Sequence, residues 1–303
     1  MFTKVWDDPE IGGRIYMQAM FLYAAELAEE NGDRLMGEVL YDVMHKLTAM
    51  RFHLEEYRRL EEELYQKYRA DFQANPNLNA ECFPLIFAFE AFLFQLKSCL
   101  DILVKMFGVV KFRQQMSIQT FGNKGEDVIR GLRQNQATYQ KLVDRGVSKN
   151  GKHWIAHLEL LISTVQAARE GWLAEAVDTR DDVSHYKAAK NFVFSPVPTP
   201  AGFDASRPTF KRHGATIEPL ALMDRLHREC LLFCQDFMCR TLNLIAWPYD
   251  LCPVTPEWAA KFTAGGGDQY TQYLKWEWRT KEGGIVTGIG WIPDPPKPEK
   301  KRK

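Results

Sequence analysis

The sequence predicts an all-α protein with small β additions, and three observations predict it. Apolar residues recur in steps of three and four over most of the chain before Ile245, the period of a helix buried on one side. Asn31-Gly32, Asn75-Pro76-Asn77 and Gly146 punctuate that pattern where a helix bundle needs its turns. Hydrophobic residues make up 46% of the chain and charged residues 26%, so it can bury a core and is not of disordered composition. At 303 residues it suffices for one large domain with extensions or for two modest ones.

Residues 11–31 form a first helical pattern closed by Asn31-Gly32. A long second helix is predicted from about Arg34 to Phe72. Its positions Met36, Leu40, Val43, Leu47, Met50, Leu54, Tyr57, Glu61, Leu64 and Tyr68 alternate in steps of four and three. Glu61 alone breaks this apolar seam. The first helix can cover part of the seam in an antiparallel hairpin, but it is about half as long, so the rest needs another element or a second chain. Pro84 suits the first turn of a helix running to about Phe107, apolar nearly all round and therefore central. Its exceptions Glu90, Lys97 and Asp101 share one side, as a solvated or paired stripe does.

A weaker helix is predicted over residues 126–145, and another from about Lys152 through Trp172 and Leu173. Residues 191–216, with several prolines and Phe192-Val193-Phe194, read as a loop with a short β-hairpin. A strong helix returns over residues 218–245. Beyond it, residues 270–278 and 285–291 flank Lys281-Glu282-Gly283-Gly284 as a second hairpin. The expected organisation is an N-terminal helical hairpin (1–75), a helical domain (79–250) and a C-terminal extension (251–303) with a basic tail.

Lysine plus arginine and aspartate plus glutamate number 39 each, so no global field draws nucleic acid or membrane. An RNA partner would need a local patch. The six cysteines lie scattered, mostly in apolar helical stretches, and are expected to be reduced core thiols in a cytoplasmic protein. Met1–Gly13 carries Asp7, Asp8 and Glu10 without an apolar run, so no signal peptide is expected. The greasiest stretch, 83–107, contains Glu90, Lys97, Asp101 and Lys105, which favours a core helix over a membrane span.

The chemistry-bearing stretch is Arg180-Asp181-Asp182-Val183-Ser184-His185. A permanent cation and an imidazole titrating near neutrality stand five residues apart. Such a pair can grip a phosphodiester and move its protons without a metal. Thr179 and Asp182 are spaced as a capping box, which would start a helix with Arg180 in its first position, beside free amides. Five helical residues separate the two side chains by about 7.5 Å along the axis and about 140° around it. The arginine must therefore wrap around the helix end, or a second chain must complete the site. The bland alternative is that both residues cap the helix and pair with nearby carboxylates. A similar pairing, six residues apart, recurs from Arg207 to His213, but there in a loop, with Pro208 after the arginine.

Arg180 to His185 resembles the R-x4–6-H motif of the HEPN superfamily, all-helical proteins many of which are ribonucleases. The polar Asp181 after the arginine, Trp172-Leu173 before it, and the apolar helix with Ser98-Cys99-Leu100-Asp101-Ile102-Leu103 are also similar to the family's layout. The resemblance covers about residues 80–246. It implies a HEPN-like helical bundle and metal-independent RNA cleavage. His185 would serve as general base or acid, Arg180 would hold the phosphate, and Asp181, Asp182 and Ser184 would orient the imidazole or the RNA. It further implies a homodimer with a composite site and, by the roles many HEPN nucleases fill, a toxin or phage-defence setting with an antitoxin or other regulatory partner. A non-catalytic dimeric helical scaffold, associating through the 36–68 seam, is the rival reading.

No cofactor or metal site is expected. His153 and His157 stand four apart without the glutamate of a zinc-protease helix. Cys230, Cys234 and Cys239 lack C-x-x-C spacing and read as packing residues. The glycine clusters near 265 and 288 match no nucleotide-binding loop. Trp276, Trp278 and Trp291 read as packing aromatics ahead of base-stacking ones.

Overall fold

A computed structural model describes residues 33–78, 80, 82–109, 118–147, 151–184, 192–212, 215–244, 249–253, 274–279 and 285–289. The helix expected over residues 11–31 and the basic tail lie outside the described residues. Helix α1 (Asp33–Ala74) is followed by α2 (Phe83–Leu103), the short α3 (Met106–Val109), α4 (Glu126–Asp144), α5 (Gly151–Glu170) and α6 (Trp172–Ser184). Four strands come next: β1 (Ser195–Thr199), β2 (Gly202–Ser206), β3 (Phe210–Arg212) and β4 (Ala215–Ile217). Helix α7 (Pro219–Leu242) then leads to β5 (Tyr249–Pro253), β6 (Leu274–Arg279) and β7 (Ile285–Ile289). Among the described residues the protein is mostly helical, with three small antiparallel sheets paired β1-β2, β3-β4 and β5-β6-β7.

The seam of α1 is buried within the chain. Leu40, Val43, Leu47, Met50, Leu54 and Tyr57 are buried against α2 and α7, which pack along this helix. Removing such a row from water is the main force holding a long amphipathic helix in place. One core cluster takes in side chains from both sides of the Asn75-Pro76-Asn77 break. From Leu40 to Tyr57 the seam is thus taken up by packing within the chain.

Helix α2 is the central rod. Pro84 stands in its first turn, where its missing N–H costs nothing. The stretch Phe83–Gly108 is long and apolar enough to cross a membrane by length and composition, and half of its most apolar 18-residue window is buried inside the fold. Lys97 and Asp101 pair at 2.6 Å on one side of α2, and Asp101 also accepts from the backbone N–H of Phe121 at 3.0 Å. These two members of the charged stripe thus tie down the loop before α4.

Two details depart from the sequence expectations. The helix expected from Lys152 breaks at Gly171, so Trp172 and Leu173 open α6. The segment after α6 forms two hairpins where one was expected, and β5 adds a strand to the C-terminal hairpin. Ser-Pro-Val-Pro-Thr hides its strand character, because proline lacks the N–H a ladder uses. In the register Val197↔Asp204 and Thr199↔Gly202, Pro196 and Pro198 take the alternate positions, where a hairpin of this register needs no ladder N–H. Gln73 at the end of α1 donates its amide to the Phe203 carbonyl, and Tyr65 donates to Asp204 at 3.2 Å. Both bonds fasten the hairpin to α1.

Candidate functional site

Arg180 lies in the C-terminal half of α6, four residues before its end, on a helix continuous from Trp172 to Ser184. This corrects the capping-box expectation. Thr179 is fully buried inside the helix and starts nothing. A phosphate at Arg180 would thus meet no free amides of a helix start. The guanidinium sits near the negative end of the helix dipole, which favours the cation itself.

Leu173, Ala176, Val177 and Val183 turn the buried face of α6 inward, and Trp172 packs edge-on to Phe233 of α7 at 5.8 Å between ring centroids. Two carboxylates on this helix are engaged with its neighbours. Asp178 meets Lys124 at 2.6 Å, and Glu175 meets Arg225 of α7 at 2.5 Å. Arg180 is itself largely covered, with 17% of its side chain exposed. Its Nε and Nη2 donate to Oδ1 of Asp181 at 3.0 and 2.8 Å. Asp181 is half exposed and Asp182 partly buried. Ser184 is the last residue of α6, and nothing of its side chain is described. His185 lies outside the described residues. The structure thus brings Arg180 and Asp181 together and leaves the arginine's approach to the imidazole undescribed.

The arginine of the second, six-residue pairing, Arg207, has a different task. Arg207 donates to Glu61 at 2.9 Å and to Glu62 at 2.5 Å, and its guanidinium lies over the Tyr65 ring at 4.6 Å. It borders a cleft of about 720 Å³ shared with Arg58, Glu61, Glu62, Glu218 and Asp224. Both arginines are held by carboxylates there, since Arg58 grips Asp224 at 3.0 and 3.1 Å. With carboxylates outnumbering guanidiniums, this cleft does not suit a polyanion. None of Arg180, Asp181 and Asp182 lines it.

His153 and His157 contact each other at 4.2 Å between centroids, and a ring nitrogen of His153 bonds the Asn243 carbonyl at 3.0 Å. They tie α5 to the end of α7. Cys82, Cys99, Cys230, Cys234 and Cys239 are buried free thiols. Three of them converge: the sulfurs of Cys99, Cys230 and Cys234 all lie within 4.8 Å of one another. The sequence reading missed this cluster. Cys230 and Cys234 were visible one turn apart, but Cys99 comes from α2, 135 positions before Cys234.

Compared with known proteins, the chain matches no family model, no curated protein and no solved structure.

Proposed function

We propose that the chain is a HEPN-type endoribonuclease that cleaves RNA without a metal, with Arg180 and His185 as its catalytic pair. The observation carrying this reading is the bond from Arg180 to Asp181. A half-exposed carboxylate next in sequence fixes the guanidinium on the flank of α6, five residues ahead of the imidazole. A positioned guanidinium stabilises charge developing on a phosphate better than a mobile one, because its ordering cost has already been met. His185 takes the 2′-hydroxyl proton or returns one to the leaving oxygen, tasks its ordinary pKa suits near neutrality. Asp182 and Ser184 flank the pair. On a regular helix five residues set the two side chains about 140° apart, so the reading includes a homodimer in which each copy completes the other's site. The proposal includes a cytoplasmic setting, where buried thiols stay reduced, and a role in toxin or phage defence with a regulatory partner.

The test is RNA cleavage with excess EDTA by wild type, Arg180→Ala and His185→Ala. The expected outcome is a loss of about 10²–10⁴-fold in each variant. Cleavage retained in both variants removes the site assignment, and no cleavage of any RNA by wild type removes the reading.

A helical scaffold is the second reading, and exposed aromatics favour it. Phe83, Phe87 and Phe94 of α2 are 55%, 59% and 47% exposed, at spacings of four and seven that share one face. Apolar rings on one stripe are what a protein partner buries first. The seam residues Leu40 to Tyr57 are buried within the chain, so this exposed stripe is the surface such a scaffold would use beside the 36–68 seam. A wild type inactive on RNA, with self-association abolished by Phe87→Asp, establishes the scaffold in place of the nuclease.

A further inference from the structure

The most concentrated chemistry outside the proposed nuclease site is the trio of thiols at the junction of α1, α2 and α7. Cys230 and Cys234 stand one turn apart on the inward face of α7, so their sulfurs project to the same side. Cys99 faces them from α2, with its sulfur 3.8 Å from that of Cys234. All three residues are fully buried. The remaining groups around them are sparse and specific. The Val43 carbonyl of α1 lies 3.9 Å from the Cys99 sulfur.

We propose that Cys99, Cys230 and Cys234 form a binding site for a thiophilic d10 cation, zinc(II) or copper(I), which staples α2 to α7 through the core. The spacing carries the argument. With metal–sulfur bonds of about 2.3 Å, two thiolates on a tetrahedral ion lie about 3.8 Å apart, and on a trigonal ion about 4.0 Å. The Cys99–Cys234 separation already equals the tetrahedral value, and the third sulfur needs to move by less than about 1 Å to match. No backbone shift is required, because side-chain rotation at Cys230 moves its sulfur that far. Soft thiolates in a dry site select this class of ion over magnesium or calcium, which demand oxygen. The binding step balances simply: three thiols bind one cation and release three protons to solvent, with no change in oxidation state. The resulting complex carries a net negative charge.

The two ions separate by coordination number. Copper(I) is satisfied by three thiolates, whereas zinc(II) takes a fourth ligand, for which His227, three residues before Cys230 on α7, is a candidate by helical spacing.

The experiment uses the full chain, purified without chelator and again after metal removal under reducing, oxygen-free conditions. Metal content is measured by mass spectrometry, and the metal-free chain is titrated with zinc(II) and with copper(I) against chromophoric competitors. The expected result is about one ion per chain, with one of the two cations held far more tightly. Binding is expected to be lost in Cys99→Ser, Cys230→Ser and Cys234→Ser but kept in Cys239→Ser, whose buried thiol lies outside the trio. Should a serine variant fail to fold, the wild-type titration still decides. The expected cobalt(II) or copper(I) thiolate absorption requires sulfur ligation, and its absence overturns the site. Retention of the ion in folded Cys99→Ser and Cys234→Ser, or a Cys99–Cys234 disulfide in the protein as isolated, overturns it equally.

Discussion

Nη1 of Arg207 donates to the Glu61 carboxylate at 2.9 Å, joining two residues 146 positions apart. Glu61 is the charged residue in the apolar seam of α1, and only 3% of it is exposed. Its presence there is explained by a guanidinium delivered from the β2–β3 link, which also closes over Tyr65. Burial raises the Glu61 pKa above its ordinary value, and Arg207 pulls it partway back. The folded protein therefore holds the Glu61 proton more tightly than the unfolded chain does. This contribution to stability is complete below the unfolded pKa and is lost as pH rises through the folded one.

Arg207→Ala is accordingly expected to destabilise the protein by about 1–3 kcal/mol near neutral pH, because it leaves a buried carboxylate unpaired. The loss should shrink toward about pH 4, where Glu61 takes up a proton and needs no cation. Glu61→Gln should flatten this dependence. Urea unfolding of both variants across the acid range measures it, and an equal loss for Arg207→Ala at either end would refute the assignment.

Phe89 and Phe87 stand two positions apart on α2 and face opposite environments. Phe89 is fully buried and meets Tyr57, Phe192 and Phe210 at 6.4, 5.6 and 5.8 Å between ring centroids. It joins α1, the segment after α6 and β3 in one aromatic cluster. Phe89→Ala is expected to cost about 3–5 kcal/mol. Phe87→Ala should stay within about 0.5 kcal/mol. Denaturant midpoints compare the two directly, and a similar cost at both positions would contradict the packing described.

The contrast between these two residues also shows what the sequence makes legible. Helices α1, α2, α4 and α7 were readable because each is long and repeats its apolar face several times, so local period and burial agree. The break at Gly171 was not, since the apolar period runs through Leu158, Leu161 and Val165 and on to Leu173 without losing phase. Thr179 and Asp182 misled for a related reason. Spacing alone cannot distinguish a threonine that caps a helix from one buried within it. At the candidate site, the Arg180–Asp181 contact is local and was open to anticipation. The Glu61–Arg207 pair and the Cys99–Cys230–Cys234 cluster depend on which distant segments meet, which no local pattern records.

Asp181 gives a way to separate positioning from folding at the proposed nuclease site. Its bond to Arg180 is between adjacent residues and half exposed, so Asp181→Asn should change stability by less than about 0.5 kcal/mol. If the carboxylate fixes the guanidinium for phosphate binding, RNA cleavage should nevertheless fall by about tenfold or more. Cleavage rates and thermal unfolding of the same preparation provide the comparison. Unchanged cleavage would reduce Asp181 to a surface partner of Arg180.

Gly125 sets the angle at which α4 leaves its preceding loop. Its backbone has φ +83° and its carbonyl accepts from Ile129 N–H at 3.0 Å in the first turn of α4. A Cβ at this position would come within 2.5 Å of Cγ1 of Val165 on α5 and 3.2 Å of the Phe121 ring. Gly125→Ala therefore carries a backbone cost of about 1–2 kcal/mol and an overpacking cost of about 1–3 kcal/mol. The two are separable, because only the second depends on Val165. In a double-mutant cycle with Val165→Ala, the combined variant should be more stable than the sum of the single losses by about 1 kcal/mol or more, while the backbone cost persists. Strict additivity in that cycle would show that α4 and α5 do not meet at this glycine as described.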